Sequence, residues 1–287
     1  MTPAPSGPTH RRQLGAELRR LRTAVGLTTE QVAAELKCSH TRVSRIETAK
    51  GRVAVKPADI RAMCKLYGVT DERQIDMLLD MLTNAQQRGW WESYERALPS
   101  GLDTLAALES DARAERTWEP LIPHGLLQTE DYARAVIQAN PNNRYSDVDD
   151  MVAFRVERQK LLTRGNDPLE FWEILDEGVL HRPVGGTAVM RAQLQHLVTM
   201  AEAPNITIQV MPTSKGAHPG LDGAFSVLEF ESDDPVVYVE SPAGNLYMQK
   251  KHDVRRFVST FDLLRAMALA PDESTALLRR TAEEIMQ

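Results

Sequence analysis

Two helix-capping signals stand close together in residues 28–51, TTEQVAAELKCSHTRVSRIETAKG. Thr28 is followed three residues later by Gln31, which is the capping-box pattern that begins a helix, and Ser39 is a second residue of the type that caps helix N-termini. Each cap precedes apolar residues at helical spacing: Val32, Ala33 and Leu36 after the first, Val43 and Ile46 after the second. The stretch therefore predicts two short helices joined by a tight turn, which is the helix-turn-helix arrangement.

Helices are also predicted on both sides of this pair. Three leucines and a valine recur every three or four residues over 11–25, which is the spacing of one helical stripe. Pro57 begins a fourth helix, and 71–87 carries its apolar residues on one face. We therefore expect a mainly α, five-helix domain over residues 11–88. A disordered tail is expected at 1–10, where proline, serine and glycine are frequent.

The charge of the chain is distributed unevenly. Residues 1–69 hold 13 Lys and Arg against 5 Asp and Glu, a net charge of +8, whereas the remaining residues hold 21 against 35, a net charge of −14. A basic block on an otherwise acidic chain is typical of a nucleic-acid-binding domain joined to a body with another role. Solvated surfaces that merely differ in composition give the same numbers, so the charge alone leaves both interpretations open.

The second helix of the pair offers side chains that can contact double-stranded DNA. Val43 and Ile46 define its buried side. The opposite side carries His40, Thr41, Ser44 and Arg45, with Arg42 on its flank. An arginine in this place can bind guanine O6 and N7 with two hydrogen bonds. We expect phosphate contacts, which set register and salt dependence, from Thr29, Arg42, Lys50 and Arg52.

Glu47 is an acid on this otherwise basic surface. An exposed, unpaired carboxylate there would repel DNA, so we interpret Glu47 as a structural residue that pairs with Arg22 on the first helix. Such a pair would lock the first helix to the third.

Residues 28–51 resemble the helix-turn-helix of the lambda-repressor/Cro-like (XRE) family. The resemblance implies that the recognition positions fall on Ser39, His40, Thr41, Ser44 and Arg45, and the internal ion pair on Arg22 and Glu47. The family usually has a glycine where this chain has Ala49, with Gly51 two residues later. The loop after the recognition helix is therefore expected to differ in shape.

A second domain is predicted over residues 89–287, after the aromatic-rich junction RGWWESYERALPSG at 88–101. Helices are expected at 102–116, 149–162, 187–202, 251–268 and 272–285, with one more capped at Thr129; strands are expected at 169–177, 205–212, 223–230, 235–240 and 245–249. Short loops join the last three strands and predict an antiparallel meander. The fold class is therefore an α+β domain with a small, largely antiparallel sheet.

Several functional classes lack support in the sequence. No apolar run approaches the ~18–20 residues that span a bilayer, and two cysteines, Cys38 and Cys64, are too few for a disulfide framework and lack zinc-site spacing. We expect a cytoplasmic protein without cofactor or metal. No phosphate-binding glycine loop or nucleophile elbow is present, so no enzymatic activity is predicted. The polar residues considered as a ligand or partner pocket are His218, Asp222 and Glu240.

The body of the chain also resembles a known group. The segments EPLIPHGLLQTEDYARAVI, RVERQKLL, LDEGVLHRPVGG and GAHPGLDGAFSVLEF together are similar to the C-terminal domain of the actinobacterial WhiJ-like regulators, also described as Scr1-type antitoxin-like regulators. The resemblance runs through most of residues 15–285. It implies a cytoplasmic transcription factor that is often paired with a small protein encoded next door.

Two hypotheses follow. The first is a sequence-specific transcription regulator that acts as a homodimer, with two recognition helices about one DNA turn (~34 Å) apart on a palindromic operator. The second is an antitoxin-like or sensor protein whose C-terminal domain binds a small partner protein or a metabolite, with DNA binding as its output. The acidic body suits a basic partner.

Overall fold

The computed structural model describes residues 7–49, 53–85, 90–94, 98, 101–140, 148–165, 167–231, 233–241 and 244–285. The chain divides into two units, Met1–Trp90 and Trp91–Gln287. The first helix begins at Gly7, upstream of the predicted start at Arg11, and the remainder of the predicted tail, 1–6, lies outside the described residues. None of the described helices combines the length and the apolar character that crossing a membrane requires.

Five helices form the described part of the N-terminal unit, as predicted. They are α1 (Gly7–Ala24), α2 (Thr29–Glu35), α3 (His40–Thr48), α4 (Pro57–Leu66) and α5 (Glu72–Ala85). The predicted capping box starts α2: Thr28 Oγ1 accepts from Gln31 N at 3.2 Å, and Gln31 Oε1 accepts from Thr28 N at 2.8 Å. Ser39 caps α3, since its Oγ accepts from Arg42 N at 3.2 Å. Local sequence signals therefore account for both ends of the turn between α2 and α3.

One hydrophobic core holds these helices together. The α1 stripe of Leu14, Leu18 and Leu21 is buried with residues from α2, α3, α4 and α5. Fully buried members include Val32, Val43, Ile60 and Leu78. Burying each aliphatic side chain of this size contributes about 1.5–3 kcal/mol. The amphipathic faces read from the sequence therefore meet in a single cluster.

The C-terminal unit combines seven α-helices with a six-stranded sheet over its described residues. The helices are α6 (Leu102–Asp111), α7 (Glu130–Ala139), α8 (Val148–Gln159), α9 (Glu177–Leu180), α10 (Thr187–Met200), α11 (Lys251–Met267) and α12 (Pro271–Glu284). The strands are β1 (Ala114–Glu119), β2 (Glu170–Asp176), β3 (Ile206–Met211), β4 (Phe225–Glu229), β5 (Val236–Val239) and β6 (Leu246–Met248). The predicted α+β class is confirmed.

The sheet is mixed, with strand order β3-β2-β1-β4-β5-β6. The pairs β3–β2 and β2–β1 are parallel, whereas β1–β4, β4–β5 and β5–β6 are antiparallel. The meander predicted for the last three strands is confirmed. The parallel half follows because helices connect β1 to β2 and β2 to β3, which carries the chain back to the same end of the sheet.

Strand β1 corrects the sequence prediction. A helix was expected over 102–116, but α6 ends at Asp111 and Ala114–Glu119 forms a central strand between β2 and β4. Most side chains of this strand, AERTWE, are buried as in a core strand, although half of its residues are charged. The strand was missed because the hydrophobic pattern that marks central strands is absent from it.

The two faces of the sheet are both covered. One face packs against α10 and α12 and holds residues such as Phe171, Ile208 and Leu228. The other face packs against α11 and holds Trp118 and Val227. Successive side chains of β1 point to opposite faces of the sheet. The charged residues of β1 on the face opposite Trp118 therefore point into the layer that packs against α10 and α12.

Candidate functional site

The exposed face of α3 is the first candidate site. Val43, Ile46 and Glu47 are buried on its inner side. The side chains predicted to contact bases lie on its outer side, where Ser39, His40, Thr41 and Arg45 are exposed and Ser44 is half-buried. The structure therefore brings the five predicted recognition residues together on one continuous surface of hydrogen-bonding groups and positive charge.

An ion pair fixes α3 against α1. Arg22 Nε lies 2.7 Å from Glu47 Oε1 and Arg22 Nη2 lies 2.8 Å from Glu47 Oε2, while Arg22 Nη1 donates to Leu27 O at 2.6 Å. The two helices also approach closely at Gly15, where an added Cβ would stand 2.6 Å from Ile46 O. The Glu47 side chain is 3% exposed, so its charge is compensated inside the unit and does not face DNA. These are the two residues that the sequence analysis paired.

Arg42 has a partner that the sequence did not indicate. Its Nη2 lies 2.9 Å from Asp59 Oδ2 and donates to Ala54 O at 2.9 Å. The same Asp59 oxygen accepts from Lys56 N at 2.9 Å. Arg42 thus connects α3 to the segment that leads into α4, and its charge is partly neutralised there. The predicted role of Arg42 as a phosphate ligand is accordingly shared with a structural one.

The other predicted phosphate ligands are placed only in part. Thr29 begins α2 and donates from Oγ1 to Glu30 Oε2 at 3.2 Å. Lys50 and Arg52 lie outside the described residues. The positions of the phosphate contacts therefore remain predictions from the sequence.

The recognition helix ends in a left-handed residue. Ala49 adopts φ 52° and ψ 23° at the C-cap of α3, the conformation for which glycine is the usual residue. The backbone there has the conformation of a helix that ends in glycine, although the side chain is a methyl group. A left-handed conformation costs a non-glycine residue about 1–2 kcal/mol.

A buried charged cluster in the C-terminal unit is the second candidate site. It consists of Glu109 on α6, Glu115 on β1, His124 in the following loop, Arg158 on α8 and Glu173 on β2. The three glutamates are 0% exposed, Arg158 is 5% exposed and His124 is 8% exposed. Charged groups are rarely buried so completely without a role in structure or function. The sequence analysis did not identify this cluster.

The cluster is only partly paired. Arg158 Nε donates to Glu109 Oε2 at 2.7 Å, and Arg158 Nη2 bonds to Glu109 Oε1. Glu173 Oε1 accepts from the His124 backbone N at 2.5 Å. His124 Nε2 lies 3.5 Å from Glu115 Oε1. Both carboxylate oxygens of Glu115, and Oε2 of Glu173, are buried without a hydrogen bond of standard geometry, although the Ser226 hydroxyl lies near enough to Glu115 to favour its ionised form.

Burial dominates the electrostatics of this cluster. It raises the pKa of Glu115 to about 8, with the charge of Glu109 adding to the increase and the Ser226 hydroxyl opposing it. Burial also raises the pKa of Glu173 to about 8. Burial lowers the pKa of His124, and the charges of the nearby Arg158 and Arg155 add to the decrease. Perturbed groups of this kind are typical of functional sites as well as of structural networks.

Polar side chains clamp the loop that carries His124. Gln159 Nε2 donates to Gln128 O at 2.6 Å, and Gln193 Nε2 donates to Leu127 O at 2.7 Å. Gln128 Nε2 donates to Pro123 O at 2.7 Å, and Arg155 Nη1 bonds to Gln128 Oε1. Arg155, Arg158 and Gln159 are the arginines and glutamine of the segment RVERQKLL. The segment RVERQKLL therefore fixes the loop at 123–128 through hydrogen bonds, and its Arg158 forms the ion pair with Glu109.

The structure does not bring the predicted pocket residues His218, Asp222 and Glu240 together. The His218 ring lies 5.2 Å from the Trp118 ring, on the sheet face covered by α11. Glu240 Oε2 accepts from Tyr238 OH at 3.3 Å, and the Tyr238 side chain belongs to the opposite layer. The Asp222 side chain is 91% exposed. The three residues are polar, but the sheet separates two of them.

The geometry of the N-terminal unit defines a class of protein. A serine-capped helix that is buried on one side, basic on the other and preceded by a second short helix is the construction of a helix-turn-helix DNA-binding regulator. A family model described as a helix-turn-helix domain matches residues 13–75, and one described as a domain of unknown function (DUF5753) matches residues 102–280.

The chain belongs to the DUF5753 family and carries an N-terminal helix-turn-helix domain. Comparison with curated proteins and with solved structures found no match.

Proposed function

We propose that this protein is a sequence-specific transcription regulator that inserts α3 into the major groove of its operator. The observation that carries the proposal is the division of α3 into a buried side, fixed to α1 by Arg22 and Glu47, and an exposed side of recognition residues. Preorganised helices of this kind need no rearrangement to dock in the groove. No enzymatic step is part of the proposal.

Base contacts come from the exposed side of α3. Arg45 is the residue that can bind a guanine with two hydrogen bonds, because its guanidinium matches O6 and N7. The shorter side chains Ser39, His40, Thr41 and Ser44 contact the neighbouring base edges. Ser39 Oγ already accepts the Arg42 backbone N–H, which leaves its hydroxyl proton for donation to DNA.

Phosphate contacts come from the periphery of the same surface. Thr29, Lys50 and Arg52 are assigned this role from their sequence positions. Arg42 engages Asp59 through Nη2, so a phosphate contact from this residue uses its remaining guanidinium nitrogens. These contacts fix the register of α3 and make binding sensitive to salt.

The regulator acts as a homodimer on a palindromic operator. One recognition helix contacts few base pairs, whereas two helices about one DNA turn apart double the contacts and match a two-fold operator. The acidic character of residues 91–287, with 31 Asp and Glu against 19 Lys and Arg, supports a second role for the C-terminal unit. That role is to bind a basic small protein, encoded next door, or a metabolite that modulates DNA binding.

The test is binding of the purified full-length chain to a pool of random duplexes and to its own promoter. Affinity is expected to fall by about 10³–10⁵ between 50 and 200 mM salt if six to ten phosphates are contacted. Arg45→Ala is expected to cost about 1–3 kcal/mol at one operator position and to relax base preference there. Arg42→Ala is expected to weaken all sequences to a similar extent. Footprinting and sedimentation measure the half-site spacing and the oligomeric state.

Arg73→Ala is the matched control. Arg73 is an exposed arginine of α5 in the same unit, so its removal tests the loss of one positive charge away from α3. The proposal fails if the wild-type chain selects no sequence from the pool, or if Arg73→Ala and Arg45→Ala change base preference equally.

A further inference from the structure

The three side chains Glu109, Glu115 and His124 place their ligand atoms around one point of the buried charged cluster. We propose that Glu115, His124 and Glu109 form a binding site for a divalent transition-metal ion inside the C-terminal unit. One ligand atom from each residue lies within 4.8 Å of the other two, and all three residues are buried. The site is separate from the DNA-binding surface and is assigned to the DUF5753 part of the chain.

The contact between Glu115 and His124 has the length that a shared metal ion requires. His124 Nε2 lies 3.5 Å from Glu115 Oε1, which is long for a hydrogen bond. Two ligand atoms bound to a tetrahedral Zn²⁺ at about 2.0–2.2 Å stand roughly 3.3–3.6 Å apart. The pair therefore matches one edge of a tetrahedral site, and Glu109, whose ligand atom lies within 4.8 Å of the other two, supplies the third ligand.

Unpartnered oxygens give independent support for a ligand here. Both oxygens of Glu115 are buried without a hydrogen bond of standard geometry, as is Oε2 of the neighbouring Glu173. A buried polar atom without a partner costs about 1–3 kcal/mol, and a charged one costs more. A cation bound by Glu115 reduces this penalty, since it coordinates a carboxylate that the protein leaves without a hydrogen bond of standard geometry.

The charge and chemistry of the site favour a particular class of ion. When ionised, Glu109, Glu115, Glu119 and Glu173 outnumber the guanidiniums of Arg155 and Arg158 by two charges, which a divalent ion balances. An imidazole nitrogen beside carboxylate oxygens suits Zn²⁺ and related transition metals, whereas Ca²⁺ and Mg²⁺ prefer oxygen ligands alone. Water completes the fourth position of a three-residue site.

Two features of the cluster must be compatible with the ion. Arg158 binds both oxygens of Glu109, and each oxygen keeps a second lone pair, so Arg158 acts as an outer partner that orients the ligand. His124 Nδ1 accepts from Leu126 N at 3.4 Å. Coordination through Nε2 moves the ring proton to Nδ1 and gives up this long hydrogen bond, a small loss beside three metal–ligand contacts.

The frame around the site is suited to holding ligands in place. Gln128, Gln159 and Gln193 fix the backbone of the loop that carries His124. Glu115 is on the central strand β1, and Glu109 is on α6, whose end leads directly into that strand. Metal sites need ligands that are positioned by rigid elements and by outer hydrogen bonds.

The test measures metal binding by the full-length chain, prepared metal-free by chelation. Titration with Zn²⁺ is expected to bind one ion per chain and to raise the Tm of the C-terminal unit by roughly 5–10 °C at 100 times Kd. Titration with Co²⁺ is expected to produce the visible absorption of a four-coordinate ion with nitrogen and oxygen ligands. Neither readout depends on DNA, so failure here is distinct from failure of the proposed function.

Variants locate the ion. Glu115→Gln and His124→Asn are expected to reduce Zn²⁺ affinity by at least about 10-fold, the lower end of losses for ligand-shell changes. His218→Asn is the matched control, because His218 Nδ1 also accepts a backbone N–H two residues ahead, from Gly220 at 3.2 Å. Cys38→Ser controls for binding by the half-buried thiol in the N-terminal unit. Both controls are expected to keep the wild-type affinity and Tm shift.

Two outcomes overturn the proposal. The first is the absence of binding and of a Tm shift with Zn²⁺, Co²⁺, Mn²⁺, Fe²⁺ and Ni²⁺. The second is binding that survives in both Glu115→Gln and His124→Asn, which places the ion elsewhere.

Discussion

The two units of this protein use charged residues in opposite ways. The N-terminal unit turns Arg45 and its neighbours outward and buries one ion pair, Arg22–Glu47, behind them. The C-terminal unit buries Glu109, Glu115, Glu173 and Arg158 within its sheet and helix layers. A surface that binds DNA needs exposed charge, because the ligand arrives from solvent. The metal ion that we propose for the buried cluster is small enough to be held in the interior.

The comparison teaches that buried charge has a different meaning in each unit. In the N-terminal unit, each polar atom of Glu47 has a partner, so the pair acts as a brace. In the C-terminal unit, Glu109 is paired but Glu115 is not. Complete pairing indicates structure, and incomplete pairing indicates a group that acts on something else.

The largest expected effect is in the buried pair of the C-terminal unit. Arg158→Met leaves Glu109 buried without its partner and is expected to destabilise the unit by about 3–5 kcal/mol. Urea denaturation in a chelator-containing buffer measures the loss. The double variant Arg158→Met with Glu109→Leu removes both charges and is expected to recover most of the stability. A loss below about 1 kcal/mol for the single variant would show that Glu109 is protonated or hydrated.

The corresponding change in the N-terminal unit is expected to be smaller. Arg22→Met leaves Glu47 without its partner. Because the Arg22 side chain is 11% exposed, water can reach the carboxylate in the variant. We therefore expect the free energy of unfolding to fall by about 3 kcal/mol. Hydrogen exchange of the α3 amides, together with urea denaturation, measures it. Arg20→Met is the control, since the Arg20 side chain is 61% exposed in its pair with Glu17 and its loss is expected to cost about 0–1 kcal/mol. Equal losses in the two variants would contradict a bracing role.

A substitution next to the recognition helix is expected to stabilise the protein. Ala49 has φ 52°, so Ala49→Gly is expected to relieve backbone strain and to gain about 1 kcal/mol. Ala16→Gly, at an exposed position inside α1, is expected to lose about 1 kcal/mol. Thermal unfolding of both variants checks the sign. A lower stability of Ala49→Gly would mean that the conformational entropy that glycine adds to the unfolded chain outweighs the backbone strain that it relieves at the end of α3.

The smallest effect concerns a surface carboxylate of the C-terminal unit. Glu177 Oε2 accepts from Thr213 N at 2.7 Å and from Thr213 Oγ1 at 2.9 Å, and the backbone hydrogen bond lowers the pKa of Glu177 from 4.5. A lowered pKa stabilises the fold above the unfolded pKa, and this contribution is lost as pH falls through the folded value. Glu177→Gln is therefore expected to cost less than about 1 kcal/mol at pH 7 and nothing in strong acid.

Denaturation of Glu177→Gln at neutral and acid pH checks this sign. Glu202→Gln, which changes an exposed residue of the same unit, is the control. Its free energy of unfolding relative to the wild type is expected to be the same at neutral and at acid pH. A deficit of Glu177→Gln that grows as pH falls would contradict the assignment.

The N-terminal unit was predictable because its signals are local. Thr28 with Gln31, and Ser39 before Arg42, cap their helices through contacts within one turn. Spacing alone identifies the buried leucines of α1 and the buried side of α3, whereas Val25, the last residue of the predicted stripe, follows the end of α1 and is exposed. The ion pair followed from one chemical argument about Glu47 on a basic surface. The hydrogen bond from Arg42 to Asp59 joins residues 17 positions apart, so no local sequence pattern predicts it.

The amino-acid sequence by itself determined the N-terminal helices, the caps of α2 and α3, the late β-meander and the exposed side of α3, because each rests on neighbours in the chain. Tertiary structure alone decided the central position of β1 and the buried charged cluster. Glu109, Glu115, His124 and Glu173 come from separate elements, and only the sheet brings them together. A charged residue has the same letter whether it lies on a surface or in a core, so AERTWE did not show the hydrophobic pattern by which a central strand is predicted.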